Sequence, residues 1–511
     1  MLFFGSSEDR FQRNLKRADK MPCRQRPAGG FVAVVTKQIE AGRALTDIYP
    51  ARFLHLVQKG GRHVQAADPA FRPFHLFPPF AFVLPCIGTM LFTSIYGIVD
   101  GLCVSNFVGK TAFAAVNLIM PLPMLLGTIG FMLGTGGSAI VGITLGEGDQ
   151  KKADRYFTLF LLAALISVSV LAVLGIVFLR PIAALLGAKG ELLDYAVRYG
   201  RILMVSLPTF ALQNMFQSFF VTAEKPHLGF WFTVGAGCTN MVLDVLMVGI
   251  WGWGVEGAAI ATFISQLVGG VLPVFYFIDR SNSSRLHLCK TSFYSKVLRD
   301  ACINGSSELM TNLSMSLVNI LYNYQLLRLA GENGVAAYGV IMYAAFLFVA
   351  VFVGYAVGSA PIVSFHYGAR NHAEVHNLYR KSLRLIAVVA VTLTLASMFI
   401  IPCVARIFVG YDAELLALTS RAFRLYALSF LIMGFNVYAS SFFTALGDGV
   451  TSALISFLRT LAFQVIAILL LPLLLGIDGI WLAVTAAELA ALAVSAAMLL
   501  TKDKVFHYRK A

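Results

Sequence analysis

The sequence predicts an all-α polytopic membrane protein with 12 transmembrane helices in two parallel six-helix lobes. Three observations predict it: an apolar composition with few charges, long apolar segments joined by short polar turns, and a repeat that places the second half in register with the first.

Of the 511 residues, 58% are hydrophobic and 13% are charged. A soluble globular chain carries roughly 25% charged residues. So much apolar surface cannot be hidden from water, which makes the bilayer the solvent. A spanning segment must satisfy its own backbone hydrogen bonds, leaving helices or closed barrels. The apolar runs here are continuous and do not alternate, which selects helices.

Residues 1–78 differ from the rest. They are basic and irregular, with thirteen Lys/Arg against six acids, and are expected to form a weakly ordered N-terminal tail. They lack the short apolar core and small-residue cleavage site of a signal peptide. Twelve spans follow, near 79–103, 111–145, 153–180, 192–222, 227–250, 254–278, 297–328, 333–366, 377–408, 416–446, 450–474 and 478–501. The N-lobe is 79–278 and the C-lobe 297–501, joined by a connector at 279–296 and followed by a tail at 502–511. Twelve spans put both termini on one side. The loops on that side, including Lys151, Arg155, Arg280 and Lys290, hold thirteen Lys/Arg, and the opposite loops hold nine. Basic residues stay cytoplasmic, so both termini are expected there, in the plasma (inner) membrane of a bacterium.

Shifting the chain by 222 residues places Gly109 on Gly331, Gly136 on Gly358, Gly146 on Gly368 and Gly257 on Gly479. Ile140-Val141 falls on Ile362-Val363 in the same frame. Hydrophobic composition explains the Ile and Val matches more easily than the glycines. Six spans per repeat conserve orientation, so the halves are parallel repeats about an axis along the membrane normal, with substrate expected between them.

The net charge of +14 does not mark a nucleic-acid binder, because half the excess lies in residues 1–78 and most of the rest flanks apolar segments. The seven cysteines have no metal-ligand spacing. There is no phosphate-binding GxxxxGK[ST] loop, no HExxH and no CxxC, so neither direct ATP use nor enzyme chemistry is expected. His366, His372 and His376 cluster beside span 8 without an acidic partner set and read as a solvated loop.

Ionisable groups within spans are costly and are functional candidates by default. Asp100 lies late in span 1, Asp244 in span 5, Arg459 in span 11 and Glu488 in span 12. Asn240 stands one turn before Asp244, on the same helix face. Thr262 returns to similar depth in the next span. Two carboxylates, an amide oxygen and a hydroxyl make an oxygen-rich pocket suited to a hard cation or to one shared proton. Arg459 and Glu488 read as a structural ion pair, and Glu308 lies early in span 7. Gln213, Asn214, Gln217, Tyr322, Asn436 and Met124 are candidates for lining a substrate cavity.

The stretches IVDGLCVSNFVGKTAFAAVNLIMP, GTGGSAIVGITLGEGDQKKAD and YGARNHAEV resemble the multidrug and toxic compound extrusion (MATE) family, over roughly 79–500. The likeness is to its bacterial multidrug branch. It implies secondary antiport, in which cationic or amphiphilic compounds leave as protons or sodium ions enter, with no cofactor. It also implies an N-lobe cation site at Asp100, Asn240, Asp244 and Thr262. Some relatives use acids in spans 7 and 10; span 10 here has none, and Glu308 lies too early for that pattern. The expected partners are small organic cations and membrane lipid, with the protein a monomer. The alternatives are a lipid-linked sugar flippase of the same superfamily or, in another class, a membrane scaffold or enzyme. Under the 222 shift, Asp100 falls on Tyr322, Asn240 on Ala462, Asp244 on Ile466 and Thr262 on Val484, which places ion coupling in the first half only.

Overall fold

The computed structural model describes residues 79–108, 115–116, 118–410 and 412–508. The tail expected at 1–78 lies outside them, as does Gly109 of the repeat. The N-lobe is built from α1 (Pro79–Phe107), α2 (Pro121–Gly146), α3 (Gln150–Leu185), α4 (Glu191–Thr222), α5 (Pro226–Ile250) and α6 (Gly254–Ile278). After the connector come α7 (Ser295–Asn304), α8 (306–330) and α9 (Asn333–Gly368), the last two separated at Gly331 by a break with φ 61°. The C-lobe continues with α10 (His372–Val409), α11 (Ala413–Ala427), α12 (Phe430–Ala445), α13 (Gly449–Leu475) and α14 (Ile477–Thr501). Among the described residues, eight helices are long and apolar enough to cross a membrane, and α11 with α12, bent by 46°, makes a ninth span. Helix α1, the charge-bearing α4, and α7 with α8 complete the twelve.

Composition and burial agree on where lipid lies. Ile166, Val173 and Val177 of α3 are exposed, as are Phe399 of α10 and Leu473 and Leu474 of α13. In water such faces would be unsustainable; in a bilayer they are the ordinary outer surface. Inside, each lobe has its own core. The N-lobe packs Ile119, Leu179, Tyr199, Leu203 and Val255 together. The C-lobe packs Tyr322, Tyr338, Phe423, Phe430 and Trp481.

The repeat is visible in the backbone. Asp149 caps α3 by accepting the Lys152 N–H at 3.0 Å, and Asn371 caps α10 by accepting the Glu374 N–H at 3.2 Å, a pair related by the 222 shift. The turns that open α6 and α14 use Gly254 and Gly476, related by the same shift and both at φ 59°. A left-handed residue costs a side chain roughly 1–2 kcal/mol, so glycine serves at both places.

The lobes meet through the repeated glycines. Gly136 of α2 lies against Gly305 at the start of α8, 2.5 Å from its nitrogen to an ideal Cβ, while its repeat mate Gly358 of α9 lies against Val83 and Cys86 of α1. Gly146 and Gly368 pack on one another's helices: a Cβ on Gly146 would overlap the Phe365 carbonyl, and one on Gly368 the Ile143 carbonyl. Span 2 therefore packs on span 7 as span 8 packs on span 1. That reciprocity is what a twofold relation between lobes requires. One turn deeper, Gly142 against Ser364 continues the contact between the lobes, while within the C-lobe Gly449 lies as closely against Asn304.

The connector binds both lobes. The Arg285 Nε stands 2.7 Å from Glu224 Oε1, in the turn between α4 and α5, and its guanidinium lies 5.3 Å from the Phe365 ring of α9. Burial pushes the Glu224 carboxyl up, against the opposing pull of Arg285 and Lys225. On the same side, the segment after α14 folds back: Tyr508 is fully buried and its hydroxyl donates to the Leu499 carbonyl at 2.7 Å.

Candidate functional site

Asp244 is the last α-helical residue of α5 before the chain passes into a π-turn, Val245–Ile250. Such turns lengthen the hydrogen-bonded loop by one residue and frequently mark functional positions. Asp244 is 0% exposed and Asn240, one turn earlier, is 2% exposed. The two share a helix face, as their spacing predicts. Thr262 on α6 faces Asn240, whose Nδ2 donates to Thr262 Oγ1 at 3.5 Å. Asn240 Oδ1 is buried and accepts no hydrogen bond from the described residues. The structure thus joins Asn240 to Thr262 across α5 and α6, with Asp244 on the same face of α5 as Asn240. The Asp100 side chain lies outside the described residues, although α1, which carries it, packs along α5. The donor set is carboxylate, amide oxygen and hydroxyl, all oxygen, which fits a proton or a small hard cation. No group of three His, Cys, Asp or Glu among the described residues forms a metal cluster.

A second polar centre occupies the C-lobe. Asn436 of α12 donates from Nδ2 to Glu488 Oε2 at 2.7 Å and to the Glu488 carbonyl at 2.9 Å. The Arg459 Nε stands 3.9 Å from Glu488 Oε1. Glu488 is 1% exposed and Arg459 sits on another π-turn, Leu458–Ala462. The two π-turns lie on equivalent spans of the two lobes but are not related by the 222 shift. Nothing in the residue pattern announces either.

A buried carboxylate that loses its cation is left uncompensated, at a cost of about 3–5 kcal/mol. Arg459→Met should therefore lower unfolding stability in detergent by about that much. Arg459→Met/Glu488→Gln should recover most of the loss, because Gln keeps a carbonyl for Asn436. If the two single losses simply add, the ion pair carries no coupling.

The cavity candidates are dispersed. Gln213 is buried between α4 and α6 against Gly269, and Asn214 is buried where α4 meets α2. Gln217 lines a small space with Cys86, Met90 and Phe220. Tyr322 is enclosed in the C-lobe core, stacked on Tyr338 at 4.9 Å with its hydroxyl 3.4 Å from the Ile480 carbonyl. Asn436 is spent on Glu488, while Met124 is exposed at the start of α2. Polar type and helical depth cannot tell a cavity wall from a helix–helix contact; only the partner across the gap does so.

The MatE family profile matches the chain twice, over residues 85–246 and 309–470. The chain belongs to the MatE family. Two equal matches close to the 222 offset make this a MatE protein with both repeats present. Among curated relatives, this MatE chain is 21% identical over 430 residues to the multidrug export protein MepA of Staphylococcus saprophyticus, covering 83% of this chain and 93% of MepA. Among solved MATE structures, one in complex with MaL6 aligns with TM-score 0.80 and 22% identity, over 85% of this chain and 97% of that one. An outward-facing multidrug resistance MATE transporter aligns with TM-score 0.79 and 23% identity, over 85% and 96%. These structural likenesses carry the fold: two six-helix lobes, as the sequence predicts.

Proposed function

We propose that this MatE protein is a secondary antiporter that exports cationic or amphiphilic compounds in exchange for protons or sodium ions. The observation that carries the reading is the placing of buried Asn240 and Asp244 on one face of α5 in the N-lobe, with Asn240 bonded to half-buried Thr262 of α6. A buried carboxylate cannot cheaply hold its charge in a bilayer, so loading a cation there changes the energy of the lobe that surrounds it. A ligand shifts a conformational equilibrium only through its differential affinity for the two states. Coupling arises if the ion prefers one arrangement of the lobes and the exported compound prefers the other. The glycine contacts between α2 and α8 and between α1 and α9 are the surfaces on which the lobes would rock, giving alternating access. The multidrug export name of the MepA relative supports several drug-like compounds as substrates. The excess of basic residues in the connector-side loops supports cytoplasmic termini in a bacterial plasma membrane. A lipid-linked sugar flippase needs deep cations for pyrophosphate; Arg459 faces Glu488 instead.

Proteoliposomes loaded with a fluorescent cationic dye provide the test. Dye should leave under a proton gradient alone or a sodium gradient alone, and the active gradient names the coupling ion. Efflux that ignores both gradients would refute antiport.

A further inference from the structure

At the connector end, outside the site already described, a cavity of about 460 Å³ opens between the first turns of α3 and the connector. Lys151, Arg155, Arg280 and Lys290 line it together with His287, and Asp154 is the one carboxylate in its wall among the described residues. Asp154 Oδ1 accepts from the His287 N–H at 3.1 Å and from Gln150 Nε2 at 3.2 Å, and the carboxylate also feels the charge of Arg280, so it offsets part of one of the four cations. None of the four cations forms an ion pair among the described residues. His287 Nε2 is buried and without a hydrogen bond to them.

The wall is built rather than draped. Gln150 Nε2 donates to the Arg285 carbonyl, the Cys289 N–H to Thr158 Oγ1 at 3.1 Å, and Thr291 Oγ1 to the Arg155 carbonyl at 2.8 Å. Gln150, Asp154 and Thr158, spaced four apart, form the row of α3 that grips the connector. Lys151 and Arg155, also four apart, form the adjacent row facing the cavity. That placement is unfavourable on two counts. Like charges at i, i+4 repel, and a helix N-terminus prefers negative charge. An anion in the cavity relieves both.

The depth of the cavity suggests which anion. Leu162 and Ile166, two to three turns further along α3, are exposed and apolar. Seven residues of helix from Arg155 to Leu162 span about 10 Å, so the cavity lies where headgroup phosphates lie. Phe293, on the connector beside Lys290, is 75% exposed, as an interfacial anchor would be. We infer that this cavity binds a phosphate-bearing anion, supplied by the headgroup of an anionic phospholipid or as free phosphate, and so clamps the connector to α3.

The test uses the full chain purified in detergent. Retention of phosphatidylglycerol against phosphatidylcholine is measured by native mass spectrometry, and thermal midpoints are read with each lipid and with inorganic phosphate. Arg155→Gln/Lys290→Gln removes one cation from each wall, and Lys151→Gln/Arg280→Gln does so independently. Arg380→Gln/Lys381→Gln on α10, also exposed, removes the same charge from the other lobe as a control. Each headgroup-level cation contributes about fivefold in affinity, so each cavity variant should lose at least tenfold in phosphatidylglycerol retention while the control loses none. Stabilisation by inorganic phosphate alone, lost in the cavity variants, would assign the site to free phosphate. Equal losses in cavity and control variants, or no preference for any phosphate anion over phosphatidylcholine, would overturn the inference.

Discussion

Asp244→Asn should reduce gradient-driven dye efflux to the level of empty liposomes while the protein still inserts and elutes as a single species. The substitution is nearly isosteric, and residue 244 is 0% exposed, so packing around it changes little. What it removes is the ability to gain and lose charge. In the antiport reading that ability is the whole of the coupling, so the expected loss is at least a hundredfold. Asn240→Ala should weaken coupling less, because it deletes an oxygen donor and the bond to Thr262 without deleting the carboxylate. The conservative Asp244→Glu tests position: a carboxylate moved by one methylene should restore partial activity with a shifted pH or sodium dependence. Full efflux by Asp244→Asn would remove the N-lobe site from the mechanism.

Gly146→Ala carries the second large effect. A single methyl on residue 146 would collide with the Phe365 carbonyl and come within 2.7 Å of the Ala369 nitrogen. Both are backbone atoms of α9 and its following turn, so no rotamer change makes room. Overpacking a close contact costs about 1–3 kcal/mol, and here the cheapest relief is for the lobes to separate at the connector end. Ser364 reports on that separation, because it is fully buried against Gly142 in the same seam. In a Ser364→Cys background, Gly146→Ala should raise the rate of maleimide labelling at least tenfold and lower efflux by a similar factor. Gly339→Ala on α9, with nothing within 4 Å of its added methyl, should do neither. Unchanged labelling would mean that the seam is not closed by the glycine contacts.

Much of this was legible in the residues because the bilayer simplifies the physics. A segment that crosses lipid must be helical and largely apolar, so most spans can be read from hydropathy, and the turns and the repeat place the rest. The glycines at 136, 146, 358 and 368 betrayed the repeat because each makes room that a side chain would fill: for a neighbouring backbone at 136, 146 and 368, and for the Val83 and Cys86 side chains at 358. Asn240 and Asp244 could be paired from their spacing, since four residues return to one helix face. The cavity candidates were harder. Tyr322 and Asn436 have the same chemistry whether they meet a drug or a neighbouring helix, and here they meet Tyr338 and Glu488. The π-turns after Asp244 and around Arg459 left no trace in hydropathy, because a backbone hydrogen-bond register is set by packing rather than by residue type.

The sequence by itself determined the helical spans, the doubled architecture and the polar residues placed at depth. Those follow from periodicity and from the cost of polar groups in hydrocarbon, both local properties of the chain. Only the tertiary structure decided which polar groups face one another across helices. It joined Asn240 to Thr262 and bound Asn436 to Glu488. It also turned a row of membrane-edge lysines and arginines into a walled cavity. A contact depends on the rotation and depth of two helices at once, and neither is written in the residues of one.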